Sequence, residues 1–227
     1  IFVAAITSRI IAEPEPEEHT ANQLSDPSSE IQLGDEWLGL FYKGDRVGLV
    51  HTQKTRKPAG GYLFTTHTSL RLLAFGTSSQ LDARIEANLD DSLTLETVHF
   101  NVRTGPATFS GTGTVMGKRL SIVLKTGDVE RSFFLPFDRP PILRSLVGPY
   151  VSRGKLVPGK VIKIPVFDPI TQKNQTMTIT VVGPDRVVIL DKEFPATHIR
   201  QSIAGLTFNG WINDRGEMLR QELGLGL

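Results

Sequence analysis

The side chains best suited to chemistry are the five histidines, His19, His51, His67, His99 and His198. None stands at helical or zinc-ligand spacing from another. His51 and His67 fall on what read as neighbouring strands, where two imidazoles could face one another and share a metal. With no third ligand at a fixed spacing they are read as polar residues on a wet sheet face. Glu17-Glu18-His19 lies in a segment too flexible to hold ligands in fixed geometry. No G-x-S-x-G nucleophile elbow is present, and Phe109-Ser110-Gly111-Thr112-Gly113 reads as a glycine-spaced strand end. The run Gly111 to Gly117 superficially resembles a nucleotide loop, but its third glycine is one place late and no helix follows. Asp168, between Phe167 and Pro169, is the most suggestive carboxylate: a catalytic group or ligand, or more simply the cap of a turn. Cysteine is absent, which removes disulfides, thiolate metal sites and a cysteine nucleophile together. The reading is therefore no enzyme, no cofactor and no metal. A net charge of +1 without a basic run gives no footprint for nucleic acid.

The elements that would position these residues are strands. The chain has 227 residues, 39% hydrophobic, with mean hydropathy −0.09, which fits a globular chain long enough to bury a core. Trp37 to Tyr42 and Arg46 to Thr52 flank a Lys43-Gly44-Asp45 turn. Leu81, Ala83, Ile85, Ala87 and Leu89 alternate with Asp82, Arg84, Glu86 and Asn88, a period of two that marks a half-buried strand. Leu93 to Val102 begins the same way, with Leu93, Leu95 and Val98 inward, and then loses phase. Further strands over Tyr62 to Leu73, Ala107 to Met116, Leu120 to Lys125 and Val129 to Leu135 are separated by Pro58-Ala59-Gly60-Gly61, Gly105-Pro106, Gly117-Lys118 and Gly127-Asp128. Short strands with glycine turns predict an antiparallel meander. Pro140 to Val147 reads as a helix of about two turns stopped by Gly148-Pro149, with Ile142, Leu143, Leu146 and Val147 on its apolar side. Val161 to Val166 and Thr176 to Val182 bracket a loop from Asp168 to Asn174. Val187 to Leu190, Phe194 to Ile203 and a closing hairpin, Leu206 to Ile212 with Glu217 to Leu223, complete the chain. The last turn, Asn213-Asp214-Arg215-Gly216, suits a type I turn with a G1 bulge.

The predicted fold class is all-β and mainly antiparallel: a curled meander or open half-barrel resembling lipoprotein-carrier folds, with one short helix packed on the sheet. Residues 1–35 read as an arm or anchor remnant followed by an acidic, proline-rich linker. Residues 36–227 read as the β-rich domain, in two halves joined by the helix near 140–150 or in one. Ile1 to Ile6 is too short to span a bilayer and reads either as the tail of a signal or anchor, and so a membrane tether, or as a docking arm. A sheet that curls without closing could leave a concave apolar groove for an acyl chain, with the helix as its plug. The alternative is an ordinary dry core. Trp211 reads as the anchor of a sheet face or as a binding platform.

Three stretches together resemble a family. Trp37-Leu38-Gly39-Leu40-Phe41-Tyr42-Lys43-Gly44-Asp45-Arg46-Val47-Gly48 is similar to the start of the N-terminal domain of bacterial transglutaminase-like proteins. The order Leu156-x-Pro158-Gly159, Val166-Phe167-Asp168-Pro169 and Trp211-x-Asn213-Asp214-x-Gly216-x-x-Leu219 follows that domain too, as does Gly224-Leu225. The resemblance spans roughly Glu36 to Leu227. It implies an exported, β-rich, periplasmic domain, and its closing hairpin also resembles half-barrel domains akin to lipoprotein carriers. The family's catalytic core uses Cys, His and Asp, and this cysteine-free chain cannot supply it. The expected function is a non-catalytic envelope domain that docks a partner protein or a C-terminal core of its own. The alternatives are a carrier of lipid or acylated protein and, least favoured, an unrecognised hydrolase. Candidate contact residues are Trp37, Ile142, Leu146, Phe167, Asp168 and Trp211.

Overall fold

The computed structural model describes residues 18–20, 31–42, 45–74 and 77–223. The expected anchor remnant over 1–6, most of the linker, the Lys43-Gly44 turn and the Gly224-Leu225 pair lie outside them. A three-residue strand, β1 (Glu18–Thr20), sits inside the stretch read as linker. An eight-stranded antiparallel meander follows: β2 (Gly34–Tyr42), β3 (Asp45–Arg56), β4 (Tyr62–Ala74), β5 (Thr77–Leu89), β6 (Leu95–Thr104), β7 (Ala107–Met116), β8 (Arg119–Thr126) and β9 (Val129–Pro136). Next come β10 (Ile142–Leu143), a 3₁₀ turn (Arg144–Leu146) and the helix α1 (Val147–Ser152). The second sheet runs β11 (Val161–Asp168), β12 (Lys173–Ile189), β13 (Lys192–Ile203), β14 (Leu206–Ile212) and β15 (Met218–Leu223). Its order is β1-β11-β12-β13-β14-β15. β1 and β10 both pair in parallel with the outer edge of β11, at opposite ends. Two short strands thus cover an edge that would otherwise offer unpaired backbone.

The lost phase in β6 has a local cause. Leu95 and Val98 are both buried although three residues apart. A register shift opposite Asn88 and Leu89 absorbs the extra residue, and Val98, Phe100 and Val102 then alternate inward. The glycine run in β7 is a packing feature. Gly111 faces the Phe100 ring and Gly113 faces Val98 and Leu120, and a methyl would come within 3.0 Å of the Phe100 ring at the first and of Val98 at the second, with Leu120 at 3.2 Å.

One apolar cluster joins everything. Phe64, Phe100, Leu120 and Ile122 come from the first sheet, Leu146 and Val151 from the helical corner, and Ile162, Phe167, Ile179 and Ile212 from the second. Hydrogen bonds stitch the two sheets at their margins. The Asn174 amide donates to the Pro136 carbonyl at 3.4 Å, Leu95 N to Pro141 O at 2.9 Å, and Met218 N to the Glu36 carboxylate at 3.2 Å. The outcome is the all-β, antiparallel, curled half-barrel architecture with one short helix, as expected.

Three boundaries differ from the sequence reading. The helix is displaced: Ile142 and Leu143 are extended and pair with Val166 and Phe167, and α1 runs through Gly148-Pro149 instead of stopping there. Pro149 lies in the first turn, where its missing N–H has no intrahelical acceptor to lose, so it is compatible with a helix start. The loop at Asp168 is shorter than expected, because β11 and β12 pair all the way to Asp168 and Lys173. Finally, Thr176 to Val182 and Val187 to Leu190 are parts of one 17-residue strand, β12. The gap left between them at 183–186 is continuous strand, with a bulge between Val181 and Gly183 and Gly183 at φ +147°. Among the described residues no helix is long and apolar enough to cross a membrane.

Candidate functional site

The sequence candidates scatter. Ile142, Leu146 and Phe167 are buried in the core, at 1% exposure or less, and are closed to a partner. Asp168 caps its turn, its carboxylate accepting from Ile170 N at 2.9 Å and Thr171 N at 3.5 Å. Burial lowers the pKa of the neighbouring Arg144, while the Asp168 carboxylate pulls it the other way. The Arg144 guanidinium lies 4.5 Å over the Phe208 ring. Asp168 therefore has the geometry of a turn cap beside a structural arginine. Trp37 and Trp211 lie on outer faces of different sheets, and nothing brings the six residues into one site.

Each tryptophan instead organises its own row. Trp37, on β2, lies flat on His51 with ring centres 3.9 Å apart, and His51 Nε2 meets Asp35 at 2.6 Å. His51 is the register partner of His67, as the metal reading required. His67, however, turns its Nε2 to Asp82 at 3.0 Å, on the strand beyond. The bonding nitrogens point in opposite directions. No cluster of three metal-ligating side chains occurs among the described residues. The His67 hydrogen bond holds the Asp82 carboxyl pKa below its ordinary value, against the opposing pull of desolvation.

On the second sheet Trp211 stacks on His198 at 4.7 Å, and the Arg220 guanidinium sits 5.5 Å from the indole. His198 Nε2 bonds Asn209 at 3.1 Å. The indole N–H donates to Asp185 at 2.7 Å, and this bond, followed by the Arg186 N–H, lowers the Asp185 pKa. Phe208, Gly210 and Ile212 point inward along the same strand, so Trp211 anchors the outer face and takes no part in the core.

The Trp211–Asp185 bond braces a ribbon. β11 pairs with β12 only as far as Thr180, and β14 with β13 only from Thr197. Residues 182–189 and 192–196 therefore pair only with each other among the described strands. The ribbon ends in the two-residue turn Leu190-Asp191, with φ of +49° and +61°. Leu190 is 91% exposed and Val188 60% exposed.

Sequence reasoning missed a buried ion pair. Lys54 Nζ meets Glu36 Oε2 at 2.6 Å, with the lysine side chain 5% exposed. Thr52 and Thr66 lie beside it in the register, their hydroxyls 3.4 Å apart. The parity of β3 carried the signal: Val50, Thr52 and Lys54 alternate with His51, Gln53 and Thr55, which puts Lys54 on the inner face. Near the same end of β3 Arg153, also buried, donates to the Asp91 carbonyl at 2.7 Å, and Asp91 in turn meets Arg56 at 2.9 Å.

No family model matches the sequence, and no curated protein matches it. Among solved structures the chain is similar to a β-barrel-like protein of the domain of unknown function DUF1849 from Brucella abortus. The identity is 12%, the TM-score 0.56, and the alignment covers 78% of this chain and 81% of that one. A DUF1089 family protein from Pseudomonas aeruginosa aligns at 13% identity and TM-score 0.48, over 84% of this chain and 96% of that one. The first likeness shows the fold alone: a β-barrel-like domain.

Proposed function

We propose that this chain is a non-catalytic binding domain of the bacterial envelope, and that the β12–β13 ribbon inserts its tip into an apolar cleft of a folded partner protein. The tip carries the reading. A two-residue hairpin turn with both residues at positive φ favours Asn-Gly. A leucine in that conformation costs about 1–2 kcal/mol, and full exposure forgoes the further 1.5–3 kcal/mol that burial would return. A turn selected for stability alone would not hold Leu190. Docking would recover the second term, and the ribbon presents Val188 beside it.

The order of motifs that resembles the N-terminal domain of transglutaminase-like proteins supports a periplasmic setting, with a catalytic core as the natural partner. The carrier of a lipid or acyl chain is the weaker alternative. It needs an open apolar groove, whereas the buried hydrophobic residues form one cluster and the open depression of about 610 Å³ across β5 to β8 is lined mostly by polar side chains, among them Arg84, Glu86, His99 and Lys125. The test is Leu190→Asn. It should leave the melting temperature unchanged or raised, and abolish the protein adduct formed by a photo-crosslinker placed at Val188 in the native cell. A crosslinker at exposed Met116 serves as the control. A lipid adduct at Val188, or a protein adduct indifferent to Leu190→Asn, would refute the proposal.

A further inference from the structure

The outer face of the β2–β4 corner carries a site independent of the ribbon. Trp37 is 60% exposed. His51 covers one face of its indole, and Asp35 fixes His51. β2 ends its sheet among the described strands, so no neighbouring strand covers the other face. Phe41, also exposed, is folded back along the strand, its ring 2.7 Å from where a Gly39 side chain would begin. The register carries this face inward from the edge: Gly39 opposes Leu49, Leu49 opposes Ser69, and Arg71 opposes Gln80. A bulge at Leu40/Phe41 places Arg46 opposite Phe41. Arg46, Leu49, Ser69, Arg71 and Gln80 line an open depression of about 420 Å³. Among the described residues neither arginine has an acidic partner. Arg46 makes one long bond, Nε to Gly48 O at 3.5 Å.

We propose that this corner binds an anionic oligosaccharide, a chain of sugar rings bearing carboxylates. A fixed indole with a bare face suits the C–H face of a pyranose, because the ring's negative π-face attracts polarised C–H groups. Two unpaired guanidiniums suit carboxylates, which they grip with paired N–H donors. Ser69 and Gln80 offer hydrogen bonds to hydroxyls. The spacing requires more than one ring. Leu49 lies one residue pair, about 7 Å, along the strand from the Trp37 row, and Arg46 about 13 Å. A nucleoside monophosphate, with its single phosphate close to the base, spans too little of this distance.

The test uses the full chain with Trp211→Phe, which leaves Trp37 as the only tryptophan. Tetragalacturonate should quench its fluorescence saturably. The paired change Arg46→Gln with Arg71→Gln should weaken that binding by about 10-fold or more while leaving the melting curve in place, since both side chains are exposed and unpaired. Calorimetry on Trp37→Ala should show a comparable loss. Equal binding of uncharged maltotetraose, tighter binding of AMP, or no saturable signal from tetragalacturonate would each overturn the assignment.

Discussion

Replacing Gly148 by alanine sets two effects of opposite sign against each other. Inside a helix the change contributes about 1 kcal/mol of added stability through backbone entropy. Here the new methyl would lie within 3.0 Å of the Gly216 carbonyl oxygen, with Gly216 C at 3.4 Å and Ile212 Cγ2 at 3.5 Å. The obstacle is backbone and cannot swing aside. Its turn is held by Gly216 N to Asn213 O and Asn213 N to Glu217 O, both 3.1 Å, and by the Asn213 side chain, which accepts from Arg215 N at 3.0 Å and Glu217 N at 2.9 Å. Overpacking against so fixed a neighbour costs at the upper end of about 1–3 kcal/mol. The net expectation is a loss of about 1–2 kcal/mol, or about 2–6 °C in Tm for a chain of this size. Urea and thermal unfolding followed by circular dichroism measure it. Gly216→Ala should cost more, because it adds a φ of +78° to a clash with Gly148 O at 2.7 Å. Gly117→Ala, at φ +62° with nothing within 4 Å, isolates the conformational penalty of about 1–2 kcal/mol. A Gly148→Ala protein more stable than the parent would refute the close packing of helix on hairpin.

Lys54→Ala leaves the part-buried Glu36 without its cation and should cost toward the lower end of about 3–5 kcal/mol in urea unfolding, whereas Lys54→Met with Glu36→Leu should recover most of that. A double variant no better than the single one would show that the pair is not coupled. Trp211→Phe removes the leading cause of the low Asp185 pKa, so the carboxyl should titrate closer to its ordinary 3.8 in carbon-detected NMR. The sign follows from the lowered folded value: this bond contributes fully above the ordinary pKa and is lost as pH falls through the depressed one, so the variant should flatten the stability profile only in that acid window. Gly111→Val drives two methyls into the Phe100 ring and should lower stability by about 1–3 kcal/mol, and the added change Phe100→Leu should relieve part of the loss. No relief would place the strain elsewhere.

Much of the fold is legible along the chain, because an antiparallel meander is built from neighbours in sequence. The alternation in β5, the glycine turns after β6, β7 and β8, and the Asn213–Gly216 turn each express a local rule about which face a side chain takes or which φ a residue tolerates. Where those rules conflict, the sequence is silent. Residues 183–186 read as a gap between two strands, and only pairing with β13 joins them into one strand with a bulge. Pro149 reads as a stop, and only its place in the first turn of α1 makes it tolerable. The candidate site was less legible still. Trp37 and Trp211 stand out by type, but the histidine each rests on lies 14 and 13 residues away. Arg46 and Arg71 share a depression only because β3 and β4 pair in one register and a bulge turns Arg46 outward. The exposure of Leu190 depends on how far the ribbon outruns its neighbours. By itself the sequence determined strand, turn and inward face, since those follow from covalent geometry and local contacts. Tertiary structure alone decided register, seams and exposed surface, because a hydrogen-bond ladder joins residues that no local pattern relates.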